Sequence, residues 1–158
     1  MRRIDALLEE YGASHKNETN KMVHWICVPL IFWSVVALLY SIPNDMLTYA
    51  FGVGYFDNWA VVVLGIVLIY YISLSIPLSF GMVAFAILCI AVARWADQFS
   101  FLPLWGIALI VFFLAWVGQF WGHKIEGKKP SFLKDLQFLL IGPAWLMHFI
   151  YKKMGVRY

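Results

Sequence analysis

The sequence predicts an all-α integral membrane protein: four transmembrane helices, an N-terminal amphipathic helix and a C-terminal interfacial or re-entrant helix, in one domain over residues 1–158. Three observations carry that reading. Only 13% of the residues are charged and 63% are hydrophobic, about half the charge of an ordinary soluble domain. Four apolar runs without an internal charge come close to or reach the roughly 20 residues that a helix needs to cross about 30 Å of hydrocarbon. All but one of the 12 Lys and Arg residues fall on one side of the topology those runs imply.

The elements follow in order. Residues 4–11 set Leu7, Leu8 and Tyr11 against Asp5, Glu9 and Glu10, the pattern of a short surface helix. Residues 1–22 lack the apolar core of a cleavable leader, so the first span, 23–42, is expected to be the insertion signal itself. Residues 43–58, with Gly52 and Gly54, read as an outer loop. The spans 59–77 and 78–93 follow with almost nothing polar between them, so Pro77 is expected at a tight hairpin or in a kinked pair. The fourth span is 103–121. A fifth apolar stretch, 132–151, holds Lys134 and Asp135 near its start and a Gly142-Pro143 break. Crossing there would carry Lys152, Lys153 and Arg157 outside, against the positive-inside rule. It is therefore expected to lie in the interface, or to dip in and return at Gly142-Pro143.

On this topology Arg2, Arg3, Lys16, Lys21, Lys124, Lys128, Lys129, Lys134, Lys152, Lys153 and Arg157 share one side. Arg94 stands on the other with Asp45, Asp57 and Asp97. Both termini are expected in the cytoplasm, in a bacterial inner membrane or the endoplasmic reticulum. The net charge of +3 then reads as a basic face against anionic lipid, and membrane lipid is the expected partner; no nucleic acid is needed to explain it.

Chemistry has few places to reside. There is no phosphate-binding glycine loop, nucleophile elbow or CxxC pair. Cys27 and Cys89 lie inside expected spans and read as small buried hydrophobes. The four histidines, His15, His24, His123 and His148, each flank a membrane-length run. Imidazole is the commonest protein ligand for metals, so these four are the candidate metal ligands.

Helical phase constrains them. At 100° per residue Asn17, Asn20 and His24 fall within an arc of about 60°, one polar stripe leading into the first span. His15 lies nine residues before His24 and points about 180° away on a continuous helix. The two rings converge only if the chain breaks between them, and Asn17 is a candidate N-cap for a helix starting after that break. In the fourth span Gln119, His123 and Glu126 follow i, i+4, i+7 spacing and share a face. Two readings of Glu126 stay open: it joins the site, or it pairs with Lys128 or Lys129 in solvent while Gly122, Gly127 and Pro130 end the helix. His148 joins the others only if Gly142-Pro143 turns the chain back toward the same face.

The run His15-x-Asn17-x-x-Asn20-x-x-x-His24-x-x-x-x-Pro29, then Gln119-Phe-x-Gly122-His123-x-x-Glu126 with Pro130, then Gly142-Pro143, resembles the 2-hydroxy fatty acid dioxygenase family. Those proteins are small multi-span membrane proteins, and eukaryotic members are implicated in alpha-oxidation during phytosphingosine breakdown. The resemblance covers nearly the whole chain. It implies Fe(II), O₂ as co-substrate, and a 2-hydroxy fatty acid shortened by one carbon. On the motif matches His15, His24 and His123 carry over as catalytic iron ligands. A bidentate hydroxy acid and O₂ leave three protein ligands on six-coordinate iron, so His148 is expected to be the outlier, in an outer or substrate-binding role. Asn17 and Asn20 are expected to orient ligands, with Gln119 and Glu126 as further candidates. Lys16, Lys21, Lys124 or Lys128 would attract the carboxylate. Two other classes compete: a non-catalytic metal- or haem-binding membrane protein, and a hydrolase using zinc-bound water.

Overall fold

A computed structural model describes residues 2–52, 54, 57–127 and 138–158. Among them are seven α-helices and no strand. They are α1 (Arg3–Gly12), α2 (Glu18–Tyr40), α3 (Asp45–Phe51), α4 (Trp59–Leu74), α5 (Ile76–Phe99), α6 (Leu104–Ile125) and α7 (Ile141–Met154). Lys128, Lys129, Pro130, Lys134 and Asp135, and with them the start of the expected C-terminal segment, lie outside the described residues.

Three helices, α2, α5 and α6, are long and apolar enough to cross a membrane. Their outward faces carry large apolar side chains: Ile26 and Leu30 on α2, Ile87 and Leu88 on α5, Ile110, Phe113, Leu114 and Val117 on α6 are all exposed. Bare apolar surface of this extent is what hydrocarbon, not water, would cover.

Several boundaries differ from the sequence expectation, each for a local reason. The third expected span stops at residue 93 because Arg94 and Asp97 interrupt the apolar run, yet α5 continues to Phe99 with those charges on its exposed end. The break before it falls at Ser75, not at Pro77. Ser75 is extended (φ −166°, ψ 118°), closes α4 and caps α5, and its Oγ accepts from Leu78 N at 3.4 Å. Pro77 sits in the first turn of α5, where its missing N–H costs nothing. The expected outer loop contains the short helix α3. Gly142 and Pro143 lie in the first turn of α7, which follows a turn at Phe138–Leu140.

α2 is the central helix. It packs most extensively on α6 and also touches α4, α5 and α7. The amphipathic α1 buries Ile4, Leu8 and Tyr11, spaced i, i+4, i+7, against Trp145 and Leu146 of α7. Two tyrosines pin α7 to the bundle: Tyr71 donates its hydroxyl to the Leu140 carbonyl at 2.7 Å, and Tyr151 donates to the Pro77 carbonyl at 2.8 Å. The result brings the start of α2, the end of α6 and the first half of α7 to one end of the molecule.

Candidate metal centre

The chain does break between His15 and His24. α1 ends at Gly12, a loop follows, and α2 starts at Glu18 behind the N-cap Asn17, whose side-chain oxygen accepts from Thr19 N at 2.9 Å and Asn20 N at 3.3 Å. This turn brings His15 back over His24, and their ring centroids lie 4.2 Å apart, edge to face. His123, at the end of α6, completes the group at 4.9 Å from His24 and 5.3 Å from His15. One nitrogen from each of the three rings lies within 4.8 Å of the others. All three side chains are at most 5% exposed.

Two of the rings are held in a known tautomer by geometry. His15 Nδ1 lies 2.6 Å from the Tyr11 carbonyl oxygen and His24 Nδ1 lies 2.9 Å from the Asn20 carbonyl oxygen. A carbonyl only accepts, so each Nδ1 carries a proton, and Nε2 is the nitrogen that a metal would take. This is how metal-binding histidines are commonly oriented. His15 is further fixed by stacking on Tyr11, with centroids 4.3 Å apart and planes 16° from parallel.

Glu126, the C-cap of α6, ties the three segments together. One carboxylate oxygen accepts from Lys16 N at 2.9 Å; the other accepts from Asn17 N at 2.9 Å and Asn20 Nδ2 at 3.0 Å. A residue one turn beyond His123 thus clamps the loop that carries His15 and the helix that carries His24. Burial works to raise the carboxyl's pKa, but the Asn17 amide, the Asn20 side chain, the Lys16 amide and the nearby His15 outweigh it and hold the group below its ordinary value. Asn20 is the other hub. It is fully buried, and its Nδ2 also donates to the Ser14 carbonyl at 3.2 Å, while its Oδ1 is buried, pressed against Gly122, with no hydrogen-bond partner among the described residues.

That close approach depends on two glycines of α6 spaced four apart. A Cβ on Gly122 would stand 2.5 Å from Asn20 Oδ1, and one on Gly118 would stand 2.7 Å from Cys27 Sγ. Small residues at this spacing let two helix backbones come together, and the motif Gly118-x-x-x-Gly122 was available in the sequence as a signal of the α2–α6 contact.

The remaining candidates sit elsewhere. Gln119 is buried one turn from His123 and lines a small crevice with Tyr11, Val28, Trp116 and Gly142. The side chains of Lys16 and Lys124 are exposed, and Lys16 enters the network through its backbone amide. His148 lies apart from the three, against Phe149 and hydrogen-bonded to the Tyr158 hydroxyl. It borders a pocket with Asp5, Leu8, Glu9 and Trp145.

The donor set fits a metal ion. Imidazole nitrogens bound at about 2.1 Å to one centre lie roughly 3 to 4 Å from each other, so rings already this close need only small rotations. Fold and site together define an all-helical protein, apolar enough to span a membrane, with a buried three-histidine cluster able to hold a metal. The family described as 2-hydroxy-palmitic acid dioxygenase Mpo1-like matches residues 1–154, and the chain belongs to that family. No curated protein and no solved structure matches it.

Proposed function

We propose that this protein is an Fe(II)-dependent dioxygenase that shortens 2-hydroxy fatty acids by one carbon at the cytoplasmic face of a membrane it crosses four times. The observation that carries the proposal is the buried triad His15, His24 and His123, with ligand nitrogens within 4.8 Å, in a member of a dioxygenase family. When bound, a ferrous ion held by three histidines supplies open positions for a bidentate 2-hydroxy carboxylate and O₂. The chain's own residues do the rest. The Tyr11 and Asn20 carbonyls fix the tautomers of His15 and His24, and Glu126 holds their two segments at the spacing the ion needs. Lys16 and Lys124, exposed beside the site, attract the substrate carboxylate. The apolar surroundings leave the alkyl tail on the lipid side. The overall change balances without an external reductant: the 2-hydroxy acid and O₂ give the shorter acid, CO₂ and water.

The fourth crossing would be α4. Its 16 residues are about 24 Å long at 1.5 Å per residue, short of the hydrocarbon thickness but within what local thinning accommodates. The Lys and Arg distribution supports cytoplasmic termini.

The test is metal analysis of the detergent-purified protein together with turnover of 2-hydroxypalmitate under air and under argon. Bound iron, O₂-dependent formation of the acid one carbon shorter, and loss of both in His123→Ala are expected. Turnover that is indifferent to argon would move the protein to another reaction class, and bound metal without turnover would point to a non-catalytic role.

A further inference from the structure

The triad is divided between two parts of the molecule that are held differently. His24 and His123 stand on α2 and α6, the most extensively packed pair of helices. Glu126 fastens the loop to that pair from Lys16 onward, through the Lys16 and Asn17 amides. His15 is held from the other side. Its amide donates to the Gly12 carbonyl at 3.0 Å, its Nδ1 lies 2.6 Å from the Tyr11 carbonyl oxygen, and its ring stacks on Tyr11. These contacts come from the last turn of α1, so His15 travels with that helix. The Asn20 Nδ2 bond to the Ser14 carbonyl, 3.2 Å, joins the two parts.

α1 itself rests chiefly on α7, and its far end is strapped down by the residues that follow α7. Gly155, at φ +71°, ends α7, and Val156 N donates to the Tyr151 carbonyl at 2.9 Å, the reversal of a Schellman turn. The chain folds back and sets Tyr158 against both helices. Its hydroxyl is hydrogen-bonded to His148 of α7, and its ring lies edge-on to that imidazole with centroids 5.6 Å apart. The guanidinium of Arg2, at the start of α1, stands 5.5 Å over the same ring and donates to the Tyr158 main-chain oxygen. Asp5 accepts from the other guanidinium nitrogens at 2.9 and 2.8 Å, which holds Arg2 to the first turn of α1.

We propose that α1 and His15 form a flap over the triad, latched by Tyr158, whose opening admits a metal ion and a substrate head group to histidines that are at most 5% exposed. The assignment rests on the triad being the metal site proposed above. Opening withdraws His15 from His24, whose ring it covers edge to face, and leaves the α2–α6 pair intact. Local openings of this kind cost less than unfolding the whole chain. An ion held by all three imidazoles binds the closed arrangement best, so binding shifts the flap toward closure. Tyr158 thus acts on the site only through α1, as a positioning residue.

The experiment follows the acylation of His24 and His123 by diethyl pyrocarbonate in the metal-free full-length protein, read peptide by peptide by mass spectrometry, beside amide hydrogen exchange of α1. Wild type, Tyr158→Ala, Tyr158→Phe and Asn58→Ala are compared, the last loosening the opposite end of α2. Tyr158→Ala is expected to speed acylation of both rings and exchange in α1 by about fivefold to tenfold, the loss of a ring–cation contact and a hydrogen bond. Tyr158→Phe keeps the ring under Arg2 and should show about twofold to threefold, while Asn58→Ala stays at the wild-type rate. Cobalt(II) added to wild type should slow α1 exchange by at least about tenfold. Equal acylation in wild type and Tyr158→Ala, or the same acceleration in Asn58→Ala, would overturn the flap. If wild type binds no metal, the metal-site reading fails separately, and the metal-free rates still decide for or against the flap.

Discussion

The two ends of α2 are both polar, and they use their polar groups in opposite ways. At the Tyr40 end, side chains serve backbone. Asn44 Nδ2 donates to the Asp57 carbonyl at 2.7 Å, Asn58 Nδ2 to the Tyr40 carbonyl at 3.2 Å, and Trp59 Nε1 to the Pro43 carbonyl at 3.1 Å. The groups around them, Arg94 and Gln98 included, border a wide basin of about 440 Å³. At the His24 end, backbone serves side chains. The Tyr11 and Asn20 carbonyls orient imidazoles, and two loop amides converge on Glu126. The first end closes a loop. The second gathers three imidazoles in a buried space, which is what a ligand site requires.

The contrast breaks most completely at the histidines. His24→Ala or His123→Ala should lower iron affinity by more than about 100-fold, beyond what losing an outer hydrogen-bond partner does, and abolish turnover. Asp57→Asn and Asn58→Ala at the other end should leave metal content unchanged. Metal analysis on the four proteins decides this, and equal losses at both ends would erase the distinction.

Glu126→Gln comes next. A carboxamide cannot reproduce three accepted hydrogen bonds, so the loop carrying His15 loosens. Metal affinity should fall by about 10-fold to 100-fold while the helical content seen by circular dichroism stays intact. Gly122→Ala acts on the same contact from the other side. Its Cβ would collide with Asn20, and such overpacking costs about 1–3 kcal/mol, read as a lower thermal midpoint together with weaker metal binding.

The smallest effect concerns His148. Burial first, then the positive charge of Lys152, lowers its pKa from 6.5, while Asp5 opposes them weakly. The unfolded chain therefore binds this proton more readily than the folded one. Stability tied to His148 is complete above pH 6.5 and declines as pH falls through the lower folded value. His148→Gln should flatten the thermal midpoint between pH 7 and pH 5 and leave iron content unchanged. A loss of iron in this variant would return His148 to the ligand set.

Much of this arrangement was legible in the sequence, for identifiable reasons. Long uncharged apolar runs mark α2 and α6 because hydrocarbon tolerates little else. The 180° phase difference between His15 and His24 required a break, and Asn17 offered the cap that marks it. The role of Glu126 was not legible. Its partners are backbone amides more than 100 positions away, and an amide leaves no mark in residue identity. Nor could spacing reveal that Gly142-Pro143 begins a helix, because a Gly-Pro pair serves equally as a break or as a first turn. The extension of α5 past Arg94 was hidden because a charge near a helix end resembles the end of a span. Gly122 close to the end of α6 resembles a helix terminator when taken alone, and only its spacing from Gly118 marks a packing face.

The central claim is that His15, His24 and His123 bind one metal ion. X-ray absorption spectroscopy of the anaerobic Fe(II)-loaded protein tests it most directly. Three imidazoles bound to the iron of wild type are expected, falling to two in His15→Gln with the iron content still measurable. Oxygen ligands alone around the iron, or a spectrum unchanged by His15→Gln, would contradict it.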